Sequence, residues 1–229
     1  MAKNRFFNNF IMEKIIDIKN SPRAAHFAFF NDKDYPLYNL CVPVDMTNAL
    51  AFAKAGGLSI FRVILYTATR AANDVPEFRR RIRPVDTVVE HDVVHPSFTV
   101  MAQEDVFSFC TVDYNPDFAV FSGNVERGMS EVKKDVVIAD DPARDDFLFI
   151  TSIPWLSFTA FVHPVHIKKV DSVPRIAWGK YYSDGNGFKL PFSVQVHHAL
   201  ADGVHVAKFF AALEGYFRSP EKIFVAKTA

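Results

Sequence analysis

The chain has 229 residues, of which 49% are hydrophobic and 24 are phenylalanine, with 26 basic side chains against 26 acidic ones. That length fits a single domain, 1–229, with a substantial core, and zero formal charge removes the global electrostatic case for nucleic-acid binding. No stretch approaches the roughly 20 apolar residues of a membrane-spanning helix, and Met1–Phe7 lacks an apolar core followed by a small-residue cleavage site, so a cytoplasmic protein is expected.

Residues 1–15 read as an N-terminal extension. Tyr38–Met46 then reads as a strand, and Thr47 starts a helical pattern through Leu50, Phe52 and Ala53 that stops at Gly56-Gly57. From Leu58 to Asn73, Ile60, Val63, Ile64 and Thr67 recur at helical spacing, predicting a buried helix closed by Pro76. Arg79-Arg80-Arg81 and Arg83 follow, a basic run whose ordinary reading is solvated surface. Val85–Glu90, Ser97–Met101, Phe107–Thr111 and Phe147–Thr151 are rich in Val, Phe and Thr and read as strands. Between them, 115–135 looks helical, and the aspartate-rich tract 140–146 reads as a surface loop. Strand signals return at Ile176–Tyr182 and Leu190–Val196, joined by a turn at 183–187. A last helix, Val204–Phe217, carries Val206, Phe209, Phe210 and Leu213 on one face. Strands mixed with a few helices on one side give an α+β, mixed-sheet sandwich rather than a regular βαβ series.

Chemistry-bearing motifs are few. No G-x-G-x-x-G follows a strand, no G-x-x-x-x-G-K-[ST] occurs, and no C-x-x-C or H-E-x-x-H points to zinc, so no metal is expected. Cys41 and Cys110 read as buried thiols, and His163 with His166 as surface or interface histidines. The stretch that stands out is His197-His198-Ala-Leu-Ala-Asp202-Gly203. By strand alternation Phe192, Val194, Val196 and His198 share one face, which leaves His198 half-buried at the end of an apolar row, able to take a proton from a hydroxyl or thiol. A core histidine followed by an aspartate that caps the helix from Val204 fits the same residues equally well.

The order of segments weighs between the two. Leu190–Phe210 closely resembles the active-site region of the type A chloramphenicol acetyltransferases. Ile18–Phe27 looks like that family's N-terminal strand and arginine. Val44-Asp45-Met-Thr47, Asn73 with Glu77-Phe-Arg79, His95-Pro-Ser-Phe-Thr99, Ile150-Thr-Ser-Ile-Pro-Trp155 and Gly179-Lys-Tyr-Tyr182 fall in the family's order, so the likeness spans nearly the whole chain.

The resemblance implies a homotrimer with active sites at subunit interfaces and acetyl-CoA as co-substrate, with no bound cofactor. It implies that His198 is the general base, that Asp202 pairs with Arg23 to brace the loop, and that Thr151 hydrogen-bonds the oxyanion where the family has serine. Trp155 and Tyr181 match positions lining the coenzyme channel. Phe29, Phe30 and Ala177 match acceptor-side positions, with Ala177 standing where the family has a threonine and Phe30 where a tyrosine is common. Ser21 replaces a tryptophan, and Ile60-Phe61-Arg62 replaces Phe-Tyr-Pro. The expected acceptor is a small hydroxyl compound, with chloramphenicol foremost. Competing readings are another acyltransferase, such as a dihydrolipoyl acyltransferase catalytic domain, and a non-catalytic ligand-binding trimer of the same fold.

Overall fold

The computed structural model describes residues 12–134, 136–139, 141–167, 171–185 and 187–224. Most of the expected extension, Met1–Phe7 included, and residues Asp135, Asp140 and Asn186 of the segments expected above lie outside this set. In chain order the elements are β1 (Glu13–Ile16), α1 (Ala24–Asn31), β2 (Leu37–Asp45), α2 (Thr47–Ala55), α3 (Ile60–Asn73), β3 (Arg80–Arg83), β4 (Thr87–His91), β5 (His95–Gln103), β6 (Val106–Thr111), α4 (Phe118–Val132), β7 (Phe147–Ser152), β8 (Arg175–Trp178), β9 (Tyr182–Asp184), β10 (Gly187–His197), α5 (Gly203–Arg218) and α6 (Glu221–Phe224). The main sheet runs β2-β10-β8-β7-β5-β6, with β9 paired to the start of β10. Its β5-β7-β8 portion is parallel and the rest antiparallel.

Strand alternation gives this sheet two unlike faces. Val44, Phe192, Val194, Ile176, Trp178, Leu148, Ile150 and Phe98 point one way and join the main core with α2, α3 and α5. The other face carries a register row of Cys41, Ser193, Ala177 and Thr151, followed two residues along by Asn39, Gln195, Arg175 and Phe149. The segment that follows β7 is tied onto this polar face: Ser193 Oγ donates to the Phe161 carbonyl at 3.1 Å, and the His163 N–H donates to Gln195 Oε1 at 3.0 Å. Burial of one face therefore fixes the register of the other.

Helix starts follow their chemistry. Ser59 accepts from the Arg62 N–H to open α3, and the Asp117 carboxylate accepts from Ala119 and Val120 to open α4. Helix α3 is buried along most of its length, and its Tyr66 hydroxyl donates to the Pro116 carbonyl.

Several expectations are corrected. Ala24–Phe27 opens a helix instead of continuing an N-terminal strand, and the strand itself is Glu13–Ile16, paired with β4. Glu13, Lys14 and Ile15 thus belong to the folded body and not to an extension. The basic run is not solvated: Arg81 is 1% exposed, and its guanidinium donates to the carbonyls of Phe78, Arg80, Asp145 and Phe147. Arg80 bridges Glu77 and Glu90, while Arg83 grips Glu13 and Asp145. From Asp141 to Asp146 the aspartate tract holds no helix or strand, yet Asp146 is buried, and against the cost of burial Arg83 holds the Asp145 carboxyl well below the usual range. Guanidiniums carrying five donors satisfy buried carbonyls that apolar side chains would orphan. Cys110 is buried as expected, whereas Cys41 is half-exposed.

Candidate active site

The end of β10 delivers two histidines into different surroundings. His197 is buried on the polar face, and burial first of all pushes its pKa down to about 4. His198 follows the last strand residue and hydrogen-bonds through its N–H to the Pro36 carbonyl at 2.8 Å, so the β2–β10 pairing fixes its backbone. Its imidazole is 31% exposed and lies flat on the Phe30 ring, with centroids 3.7 Å apart and planes 4° from parallel. Tyr38 flanks it at 4.6 Å, and Phe29 meets Phe30 edge-on. Rings on two sides hold the imidazole in one rotamer at small entropic cost.

The loop after His198 returns a carboxylate beneath it. Asp202 takes Arg23 in a bidentate pair, Nη1 to Oδ2 at 2.5 Å and Nη2 to Oδ1 at 3.1 Å, and Arg23 also reaches the Ala199 carbonyl. The Arg23 hydrogen bond, against the cost of burial, holds the Asp202 carboxyl below its ordinary range. His198 Nδ1 lies 3.2 Å from Asp202 Oδ1 but off the direction a hydrogen bond requires, and it is buried with no hydrogen-bond partner among the described residues. Asp202 thus acts on the ring by charge and on Arg23 by hydrogen bonding. It is also the residue preceding α5, so the capping position and the arginine pair coexist at one residue.

Thr151 sits elsewhere. It lies mid-sheet on β7, beside buried Ala177, on the wall of a cleft of about 880 Å³. Phe61, Phe98, Phe149, Phe161 and His163 share that wall, and His198 does not. A volume of this size suits a small organic ligand. Arg175 is buried at the cleft edge, with its charge compensated by a two-pronged pair to Asp171. Among the described residues neither buried ring nitrogen of His163 has a hydrogen-bond partner, and burial followed by Arg175 pushes its pKa down to about 4.

Register measures the separation of the two centres. His198 lies five residues beyond Ser193 in the Thr151 row, about 16 Å along the strand, and two strand spacings of about 4.8 Å across. Within one chain, then, His198, Asp202, Arg23, Phe29 and Phe30 cluster, whereas Thr151, Ala177 and Trp155 form a second group. Trp155 is 65% exposed on the loop after β7, which is laced to the end of β8: Lys180 N–H donates to the Leu156 carbonyl at 2.7 Å, and Ser157 Oγ to the Lys180 carbonyl at 2.6 Å. A Cβ at Gly179 would meet the Leu156 carbonyl at 2.6 Å, so that approach needs glycine. Tyr181 packs edge-on against Phe188 nearby.

Sequence reasoning missed Tyr38 as a neighbour of His198. It is the cross-strand partner of Val196, a pairing that no local pattern encodes. Among the described residues, His163 and His166 join no cluster able to hold a metal; Glu13, His91 and Asp145 do converge, but Arg83 already supplies a cation to both of those carboxylates. No helix among the described residues is long and apolar enough to cross a membrane.

Comparison with known proteins spans most of the chain. A family profile described as chloramphenicol acetyltransferase matches residues 9–214. A chloramphenicol acetyltransferase of Escherichia coli is 29% identical over 204 residues, covering 88% of this chain and 92% of that protein. Chloramphenicol acetyltransferase 3 of Escherichia coli is 32% identical over 200 residues, covering 86% and 93%. The solved structure of a chloramphenicol acetyltransferase superposes with a TM-score of 0.78 at 27% identity, covering 90% of this chain and all of the other. An Azotobacter vinelandii dihydrolipoamide acetyltransferase shares the fold, with a TM-score of 0.64 at 18% identity over 87% and 88% of the two chains.

Proposed function

The chain belongs to the chloramphenicol acetyltransferase family and is an acetyl-CoA-dependent acyltransferase, and from that premise we propose that it acetylates a hydroxyl of a neutral, aromatic small molecule, chloramphenicol foremost. The residues 1–229 act as one acetyltransferase domain, in a homotrimer whose active sites lie between subunits, and the protein works in the cytoplasm. The observation that carries the reading is the His198 cluster: a half-buried imidazole clamped by Phe30 and Tyr38 beside a carboxylate locked to Arg23.

In this mechanism His198 acts at Nε2, because Nδ1 is buried against Asp202. Nε2 removes the acceptor hydroxyl proton as that oxygen attacks the thioester carbonyl of acetyl-CoA. The tetrahedral oxyanion accepts a hydrogen bond from the Thr151 hydroxyl. Collapse expels the thiolate of CoA, which takes the proton from His198, and no acyl-enzyme forms. General-base assistance of this kind contributes about 10²–10⁴ in rate, and one oxyanion donor about 2.7–4 kcal/mol. Asp202 stabilises the transient imidazolium without receiving its proton.

The separation of Thr151 from His198 supports a site built from two subunits, one giving the base and its neighbour the oxyanion hydroxyl. The aromatic cleft beside Thr151 supports an apolar acceptor, and the Asp171–Arg175 pair compensates the buried charge at its edge. Phe29, Phe30 and Ala177 would border the acceptor, while Trp155 and Tyr181 would flank the coenzyme. Thiol release from acetyl-CoA, measured with chloramphenicol and then a panel of primary alcohols, tests the proposal. Release strictly dependent on an acceptor, and absent in His198→Ala, is the expected result; a folded protein that turns over none of them overturns it.

A further inference from the structure

His205 takes no part in the chemistry above, yet it grips the residue on which that chemistry depends. It is buried at the third position of α5, and its Nδ1 accepts the backbone N–H of Asp202 at 2.9 Å, the reciprocal half of a capping box. Accepting at Nδ1 places the ring proton on Nε2, which lies 3.7 Å from Glu77 Oε1. Glu77 is held in turn by Arg80 at 3.0 Å, and Arg80 by Glu90 at 3.0 Å. A charged chain anchored on β4 therefore ends at the main chain of Asp202, whose carboxylate takes Arg23 and faces His198.

We infer that His205 is a positioning residue for the catalytic base: through the Asp202 main chain it sets where Asp202, Arg23 and His198 lie, and it does so only while Nδ1 carries no proton. The inference rests on the reading of His198 as the base. Glutamate or glutamine ordinarily completes such a box, and a glutamine would accept the same N–H without titrating. A histidine makes the bond conditional, because a proton on Nδ1 would set donor against donor. Glu77 and Asp202 favour the protonated ring, while Arg23 and Lys208 oppose it, and Arg80 is spent on Glu77. Burial is the largest influence, and the balance lowers the His205 pKa, so the bond holds at neutral pH and opens on acidification.

The test compares wild type, His205→Gln and His205→Leu by thiol release from pH 5 to 8, with hydrogen–deuterium exchange of the 198–206 segment, corrected for intrinsic rate, at both ends of that range. Wild-type kcat should fall on the acid side more steeply than one proton allows. His205→Gln should recover kcat to within about 3-fold at neutral pH and fall with the single proton of the base, whereas His205→Leu should lose about 10-fold or more in kcat with KM for acetyl-CoA little changed. Exchange of the segment should rise on acidification in wild type and stay flat in His205→Gln. The inference is overturned if His205→Gln keeps the two-proton fall or the acid-induced exchange, or if His205→Leu keeps wild-type kcat. If His205→Leu does not fold, the glutamine variant decides. Absence of wild-type turnover would instead count against the acyl-transfer reading, and exchange would then still judge the positioning role.

Discussion

Replacing Arg23 by leucine removes the cation that Asp202 was folded around. The pair is bidentate, with side chains 19% and 27% exposed. Breaking a fully buried pair costs about 3–5 kcal/mol and an exposed one about 0–1 kcal/mol. This partly screened pair should lie between, at about 2 kcal/mol. The sign with pH follows from linkage. Arg23 is the first cause of the lowered Asp202 pKa, so the stabilisation is present above the unfolded carboxyl value and is lost as pH falls through the folded one. Urea unfolding at fixed subunit concentration should therefore show the full deficit at pH 7 and a shrinking one below about pH 4. With its brace gone, the carboxylate no longer fixes the His198 environment, and kcat should drop about 10²-fold. A deficit that stays constant from pH 7 to pH 3, or an unchanged kcat, would refute the reasoning.

Other consequences are as direct. Thr151→Val should lower kcat about 10²-fold or more, with Thr151→Ser close to wild type, because only the hydroxyl is asked to meet the oxyanion; equal losses in both would remove Thr151 from the chemistry. His197 goes from about 6.5 unfolded to about 4 folded, so it contributes stability above pH 6.5 that is lost on acidification toward pH 4, worth about 3 kcal/mol. His197→Gln should flatten that part of the stability–pH curve measured by thermal unfolding. Gly179→Ala should cost several degrees in Tm and raise KM for acetyl-CoA more than it lowers kcat, since the clash falls on the loop that carries Trp155. Val85 has φ of 61° and is almost fully exposed, so Val85→Gly should stabilise the β3–β4 turn by about 1 kcal/mol in urea unfolding.

What was legible in the sequence is what repeats or punctuates. The alternation from Phe192 to His198 placed His198 at the edge of the core, and the spacing from Ile60 to Thr67 announced a buried helix. Asp202 was visible both as a helix-starting residue and as a partner for an arginine, and the structure makes it both. Helix α1 escaped because Arg23 precedes it where a capping serine or aspartate would have signalled a start. The Arg79–Arg83 run was misjudged because local sequence shows charge and not its long-range partners. Glu13, Glu90 and Asp145 come from three separate segments. Tyr38 and His205 act through strand register and a main-chain bond, which composition does not record.

The central claim is that one subunit supplies His198 and its neighbour Thr151. Co-expressing a His198→Ala chain with a Thr151→Val chain, and assaying the purified mixture by thiol release, tests it most directly. Random mixing into cyclic trimers leaves one intact site in every mixed trimer, so about a quarter of the wild-type rate should return, far above either variant alone. A mixture no more active than its parents would contradict the account.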